Sequence, residues 1–322
     1  MLQTPVLLIT FNRPDHVSRV LSVVRDVRPN SLFVFQDGRR EGCIEDEKKC
    51  REVRSVIQSH VDWDCDLRTY YSEINLGCGP GPAAAISWFF ENVEQGIILE
   101  DDAVPHPEFF QYASVLLNKY KDDPSVRAVG SMNIDTQRWG DGSYYFSMMN
   151  RNLCAWATWR RAWVSFDIHM KGVSRHQLSK ALRYYHCGLL EREYWCHCLD
   201  VVHENGCDGK SWDMQFFMSI WLNHGKGVIP NVNLSSNIGT VGEGTHAMAA
   251  GNIIDNVPTS PIFPLSSPSS EDVQHEADRQ FHFMYFEPYR KNWKWYRIAY
   301  VLLNNRLKRL LGHKGPWIKK KP

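Results

Sequence analysis

Glu100, Asp101 and Asp102 are three adjacent carboxylates that end a short aliphatic run, Gly96-Ile97-Ile98-Leu99. Three like charges in a row either hydrate as a surface turn or face something positive. At the carboxyl end of a strand in an open α/β sheet they would point into the crevice where such folds bind ligands. Hard oxygen donors suit Mg²⁺ or Mn²⁺, and either ion would in turn hold a substrate diphosphate. Asp37 is a second carboxylate at the end of an apolar run, 31–35, and Thr10-Phe11-Asn12-Arg13-Pro14 is a third polar corner after an apolar run. Downstream, Ser211 can cap a helix that begins with Trp212-Asp213. An acid in a first turn suits the helix dipole whatever its function, and the same carboxylate in a cleft can act as a general base.

These residues need elements that bring them together. Val6–Thr10 has strand composition, and Pro14 suits a first helical turn before Val17, Val20, Leu21 and Val24 at helical spacing. A strand at 31–35, a polar helix at 45–59, a strand at 67–71, a helix at 83–92 and the strand into Glu100 follow. Strand and helix alternate, which predicts an α/β fold with a Rossmann-like, mostly parallel central sheet and helices on both faces. In a doubly wound sheet the corners at Asn12, Asp37 and Glu100–Asp102 converge on one edge. Asn75-Leu76-Gly77-Cys78-Gly79-Pro80-Gly81-Pro82 precedes the helix at 83; it lets backbone approach a ligand or simply turns the chain, and it lacks P-loop spacing.

The chain has 322 residues, 43% hydrophobic and 23% charged, enough for a sizeable core. No apolar run approaches the roughly 18 residues that span a bilayer, and no signal-peptide pattern precedes Val6, so a cytoplasmic body is expected. Nine cysteines without CxxC pairs fit a reducing compartment. The net charge of +1 conceals a division, because residues 288–322 hold eleven Lys or Arg and no acid, leaving 26 basic against 36 acidic residues before them. No nucleic-acid partner is expected.

The combined motifs resemble GT-A glycosyltransferases of the nucleotide-diphospho-sugar transferase superfamily, most closely the N-acetylglucosaminyltransferase I type. The resemblance lies in Phe35-Gln36-Asp37, in 97–102 ending Glu-Asp-Asp, in Pro107-Glu108-Phe109-Phe110, in Ser131-Met132-Asn133 and in Ser211-Trp212-Asp213. It spans about 6–252 and implies one GT-A domain, with 1–132 as the nucleotide-sugar half and 133–257 as the acceptor and catalytic-base half. An irregular connection at 258–287 and a basic tail at 288–322 would follow. The resemblance implies an inverting, metal-dependent transfer of a hexosyl or N-acetylhexosaminyl group from a nucleotide-sugar donor, a UDP-sugar, to a hydroxyl of a saccharide or lipid-linked saccharide. Asp213 then matches the catalytic base, Asp102 the acid that contacts Mn²⁺ or Mg²⁺, and Glu100 and Asp101 the positions reaching ribose and donor sugar. Thr10, Asn12, Arg13, Asp37 and Gly77 would form the nucleotide end. Gly239 to His246 holds three glycines and a histidine, so His246 would reach the metal or diphosphate from a closing loop. The early first strand, with no anchor before it, favours a bacterial-like member acting in surface-polysaccharide or glycolipid assembly. A nucleotidyltransferase, or a non-catalytic nucleotide-sugar-binding module, can share the sheet and the acids.

On the acceptor side, Trp156, Trp159 and Trp212 can stack on sugar faces or pack in the core, as tryptophan does in both settings. His186, Cys187, Cys196, His197, Cys198, His203 and Cys207 could supply zinc ligands, but their spacing fits no knuckle and 191–202 has helical composition. In the tail, Trp293, Tyr296, Tyr300, Leu303, Leu307 and Leu310 recur at helical steps opposite basic residues. That pattern suits peripheral contact with an anionic membrane surface, or docking on the body.

Overall fold

In a computed structural model of the chain, the described residues are 1–135, 137–149, 155–205, 212–239, 256–286 and Leu303. The N-terminal elements are β1 (Val6–Thr10), α1 (Pro14–Val27), β2 (Ser31–Gln36), α2 (Ile44–His60), β3 (Asp66–Tyr71), α3 (Pro80–Asn92) and β4 (Gln95–Glu100). β1 is buried along its whole length, as a parallel strand covered on both faces must be, so it carries continuous rather than alternating apolar residues. Val17, Val20, Leu21 and Val24 form the buried stripe of α1.

β1 pairs in parallel with β2 on one side and β4 on the other, and β2 pairs in parallel with β3. Sheet growth therefore reverses after β3, and the crevice between the carboxyl ends of β1 and β4 is a topological switch point. Thr10 and Glu100 end the two strands that flank it.

The rest of the chain supplies β5 (Ala103–Pro105), α4 (Pro107–Lys119), β6 (Val126–Gly130), β7 (Tyr144–Ser147), β8 (Ala155–Trp159), α5 (Arg160–Trp163), α6 (Arg175–Tyr184), α7 (Leu189–Asn205), α8 (Asp213–Leu222), β9 (Lys226–Pro230), β10 (Ser235–Asn237) and α9 (His275–Phe281). The main sheet has the order β3-β2-β1-β4-β8-β6-β9-β7. β8 runs antiparallel between β4 and β6, and β7 antiparallel to β9; the others run with β1. The fold is α/β and Rossmann-like, with a mixed but mostly parallel sheet. α1 packs on α2 and α4, whereas α3 packs on α5, so helices form separate layers. A second, two-stranded ladder pairs β5 with β10.

Chain contacts define two units, Met1–Asp278 and Arg279–Pro322. Both expected halves, 1–132 and 133–257, lie inside the first unit. Before α9 begins at His275, the Glu108 carboxylate accepts the backbone N–H groups of Ile262 at 2.6 Å and Phe263 at 3.0 Å; α9 and the turn after it occupy much of the second half of the stretch 258–287 expected to be irregular. The described part of the second unit is the end of α9, a π-helical turn at His282–Phe286, and Leu303. Among the described residues no helix is long and apolar enough to cross a membrane.

Around α7 the sulfur and imidazole groups have separate partners. The Cys187 thiol meets the Met148 sulfur, the Cys196 thiol donates to the Arg175 carbonyl, and a ring nitrogen of His203 bonds the Met170 carbonyl. Cys207 lies outside the described residues.

Candidate active site at the β1–β4 crevice

The corner after β1 is held from both sides. Thr10 Oγ1 donates to the Phe35 carbonyl at 3.0 Å, and Gln36 Nε2 donates to the Phe11 carbonyl at 3.0 Å, tying the corner to β2. Asn12 Nδ2 donates to Asp46 Oδ1 at 2.7 Å. Asp46 sits in the first turn of α2 and is 1% exposed; it also accepts Arg40 Nε at 2.7 Å and Arg40 Nη2 at 2.8 Å. Hydrogen bonds from the Arg40 guanidinium hold the Asp46 carboxyl well below the usual range against its burial.

With the corner fixed, Arg13 reaches across the crevice. One terminal nitrogen of its guanidinium pairs with Asp101 Oδ1, and with Asp102 Oδ2 at 3.2 Å. Burial opposes the charge on Arg13, but the two aspartates outweigh it, and the guanidinium holds its proton more tightly than usual.

Asp37 faces its own neighbourhood. Its carboxylate accepts backbone N–H groups from Gly38 at 2.9 Å, Leu76 at 2.8 Å and Gly77 at 2.9 Å, and the Asn75 amide at 3.1 Å. Burial raises its proton affinity, and the backbone donors work the other way. The tip of β2 thus clamps the glycine-rich corner that starts α3. Gly77 has φ +82°, a conformation that glycine adopts without the penalty a side chain would bring.

The acids form one charge system. Burial raises the proton affinity of Glu100 strongly, the negative charges of Asp102, Asp101 and Asp213 raise it further, and Arg13 offsets part of this. Asp213 opens α8, far from β4 in sequence, so its influence on Glu100 brings the predicted base and the predicted acid cluster together. Burial also raises Asp101, which is 3% exposed, with Arg13 opposing. Asp102 is braced from behind. Its carbonyl accepts Ile238 N–H at 2.9 Å, and a Cβ added at Gly239 would lie 2.1 Å from Asp102 Oδ2.

Asp101 Oδ2 and Asp102 Oδ1 are buried and make no hydrogen bond among the described residues. Two orphaned hard oxygens beside a crevice fit a Mg²⁺ or Mn²⁺ ion that takes few protein ligands and completes its shell with substrate phosphates and water. Among the described residues, no group of three or more His, Cys, Asp or Glu forms a full metal cage. His246 and Ser211 lie outside the described residues, so the expected loop contact and helix cap have no described geometry. α8 begins at Asp213 with Trp212 at the N-cap position.

Trp156 and Trp212 stack with centroids 5.6 Å apart and 25° between planes, and Trp163 meets Trp212 edge-on at 6.1 Å. Trp156 lies on β8 opposite Ile98 of β4, so this aromatic group is carried by the strand beside the acid-bearing one. The buried Trp156 Nε1–H has no acceptor among the described residues. Trp159, three positions on, projects from the other face of β8, where its indole donates to the Leu117 carbonyl at 3.1 Å and Arg161 covers its ring. Ser131 and Asn133 cross-link: Ser131 Oγ bonds Ser235 Oγ, and Asn133 Nδ2 donates to the Pro230 carbonyl at 2.9 Å.

Sequence reasoning missed three contributors. Asp46 was hidden in the acidic run Glu45-Asp46-Glu47, which any helix start favours. Arg40 gave no local signal. His16 did have one, since it follows Arg13 by one helical turn; its Nε2 lies 3.3 Å from the Ile238 carbonyl and its charge acts on Asp101.

Fold and site define an α/β protein with a Rossmann-like sheet and an acidic, arginine-paired cluster at its switch point. No protein-family model and no curated protein matches the chain. Solved structures do show distant likeness. One, of 4-diphosphocytidyl-2C-methyl-D-erythritol synthase from Anaerococcus prevotii, has 12% identity and a TM-score of 0.32 over 51% of this chain and 74% of that one. UDP-glucose pyrophosphorylase complexed with UDP-glucose has 8% identity and a TM-score of 0.37 over 73% and 92%. HddC from Yersinia pseudotuberculosis has 10% identity and a TM-score of 0.30 over 50% and 78%. At such scores the activity must be argued from this chain's own residues.

Proposed function

We propose that this protein is an inverting, divalent-metal-dependent glycosyltransferase that moves a sugar from a nucleotide-diphosphate donor, a UDP-sugar on the motif resemblance, to a saccharide or lipid-linked saccharide hydroxyl. The observation that carries the reading is that Trp212, next to Asp213 at the start of α8, stacks at 5.6 Å on Trp156, which pairs with Ile98 two residues before Glu100 on β4. A base set apart in sequence yet brought near a strand-tip acid cluster suits two substrates meeting across a crevice.

In this reading the Asn12–Arg13 corner and the Gly77 corner held by Asp37 receive the nucleotide, and Arg13 donates to diphosphate oxygens. Asp101 and Asp102 would hold Mg²⁺ or Mn²⁺, which supplies stabilisation of the charge that develops on the departing diphosphate. The neighbouring carboxylates and desolvation raise the proton affinity of Glu100, so of the three acids it would be suited to donate a hydrogen bond to a donor hydroxyl. Asp213 accepts the proton of the acceptor hydroxyl as that oxygen bonds to the anomeric carbon, while the carbon–oxygen bond to the nucleoside diphosphate breaks and its electron pair leaves with the phosphate. Attack opposite the leaving group inverts the centre. Trp212, stacked on Trp156, would offer an apolar wall to the sugars.

The test is calorimetric titration with UDP and GDP, with and without Mn²⁺, on the wild type and on Asp102→Ala, followed by product analysis. Expected are Mn²⁺-dependent binding of one nucleotide, weakened at least tenfold in Asp102→Ala, and nucleoside diphosphate release from the matching nucleotide sugar. Asp213→Asn should bind nucleotide within about twofold of wild type and lose roughly 10²–10⁴ in kcat. Folded protein that binds neither nucleotide overturns the reading. Pyrophosphate release from UTP and a sugar 1-phosphate would replace it with a nucleotidyltransferase, and metal-dependent binding without turnover with a non-catalytic module.

A further inference from the structure

Arg13 and a divalent cation would compete for the same two carboxylates. The guanidinium spans Asp101 and Asp102 and engages one oxygen of each, Asp101 Oδ1 and Asp102 Oδ2. The remaining oxygens, Asp101 Oδ2 and Asp102 Oδ1, are buried without a hydrogen-bond partner among the described residues. Buried carboxylate oxygens are costly to leave unsatisfied, so the pocket is half-neutralised rather than complete. Asp101 is enclosed, and Asp102 is blocked on one side. Asp101 is 3% exposed, and Gly239 stands so close behind Asp102 Oδ2 that not even a methyl group would fit between them.

A cation placed on the orphaned oxygens would face a positive guanidinium bound to the same two groups. Repulsion would weaken its binding unless Arg13 had another anion to hold. A nucleoside diphosphate in the crevice is such an anion, because a guanidinium matches phosphate oxygens as well as it matches carboxylates.

We propose that Arg13 is a resident counter-ion that keeps divalent metal off Asp101 and Asp102 until a nucleoside diphosphate draws the guanidinium away, so that metal and nucleotide strengthen each other's binding. The inference rests on the donor site proposed above. By linkage, the factor by which nucleotide tightens metal equals the factor by which metal tightens nucleotide.

The experiment follows the free Mn²⁺ electron-paramagnetic-resonance signal during titration of Mn²⁺ into the full chain, with and without the nucleoside diphosphate that calorimetry selects, UDP or GDP. Wild type is expected to bind Mn²⁺ weakly alone and at least tenfold more tightly with nucleotide. Arg13→Gln should bind Mn²⁺ alone at least tenfold more tightly than wild type and gain less from nucleotide than wild type does, keeping only the part that the phosphates supply directly. Folded Arg13→Gln that binds Mn²⁺ no more tightly than wild type overturns the proposal, as does a wild type whose Mn²⁺ affinity ignores nucleotide that is demonstrably bound. Only an uncharged side chain removes the repulsion, so Arg13→Met is made beside Arg13→Gln and replaces it if it does not fold. Arg13→Met should bind Mn²⁺ alone at least tenfold more tightly than wild type, and equality in this variant would overturn the proposal. The titration with metal alone needs no donor. Tighter Mn²⁺ binding by the variant, with no nucleotide binding by either protein, would therefore uphold the counter-ion and sink the donor site separately.

Discussion

Glu100 ends a strand among three other carboxylates and one guanidinium, and its proton affinity is raised well above that of a free glutamate. The unfolded chain loses this proton near pH 4.3, whereas the folded protein keeps it to higher pH. Over the interval between those two values the folded state binds more protons, so this group's contribution to stability falls as pH rises. Glu100→Gln keeps the shape and removes the titration. We expect it to raise the melting temperature at pH 7 by roughly 2 °C or more and to flatten the decline above pH 5, measured by calorimetry across pH 4–8. A lower melting temperature throughout would mean that ionised Glu100 has a favourable partner. The acids of this site were legible because three carboxylates at the end of an aliphatic run are conspicuous in a sequence. Their pairing was not, because Arg13 lies 88 residues from Asp101 and no local pattern links the two. Asp37 was equally visible, but its four bonds to residues 38 and 75–77 depend on how the chain turns after β3.

At the scale of elements, the short ladder of β5 and β10 pairs Asn237 with Ala103 and so delivers Gly239 to Asp102. Asn237 Oδ1 then accepts Gly239 N–H at 2.8 Å and fixes the turn. Gly239→Ala would place its methyl group 2.1 Å from Asp102 Oδ2 and 2.7 Å from its Cβ and Cγ, so the Asp102 side chain must shift. The expected result is a melting temperature within about 2 °C of wild type but nucleotide-dependent Mn²⁺ affinity lowered about tenfold, read by the same titration. Unchanged affinity would show that the position of Asp102 does not govern metal capture. Neither strand of this ladder was apparent in the sequence, since each has three residues and its partner is remote. The same physics explains why β7 and β8 were missed. β8 is Ala-Trp-Ala-Thr-Trp, buried on both faces, and nothing in its composition announces that it runs against β4. The four early strands and their helices were legible because each carries its own period and its own turn residues, and α1 buries the four residues that helical spacing selects.

For the whole molecule, charge is divided along the chain more sharply than composition suggests. Residues 288–322 carry eleven basic groups and no acid, while the preceding part is net −10. A basic segment with interleaved Trp, Tyr and Leu is drawn to anionic lipid by its charge and held by its apolar side chains, at about 1 kcal/mol per Lys or Arg near the surface. We expect the full chain to sediment with vesicles containing phosphatidylserine at 0.1 M salt, and far less with neutral vesicles. Replacing Lys291, Lys294, Arg297, Arg306, Lys308 and Arg309 with Gln should lower the partition at least tenfold while leaving nucleotide affinity within about twofold of wild type. The salt dependence should weaken in the same variant, because fewer counter-ions are exchanged at the surface. Equal sedimentation of the two proteins would locate membrane contact elsewhere and leave this charge division to serve a protein partner.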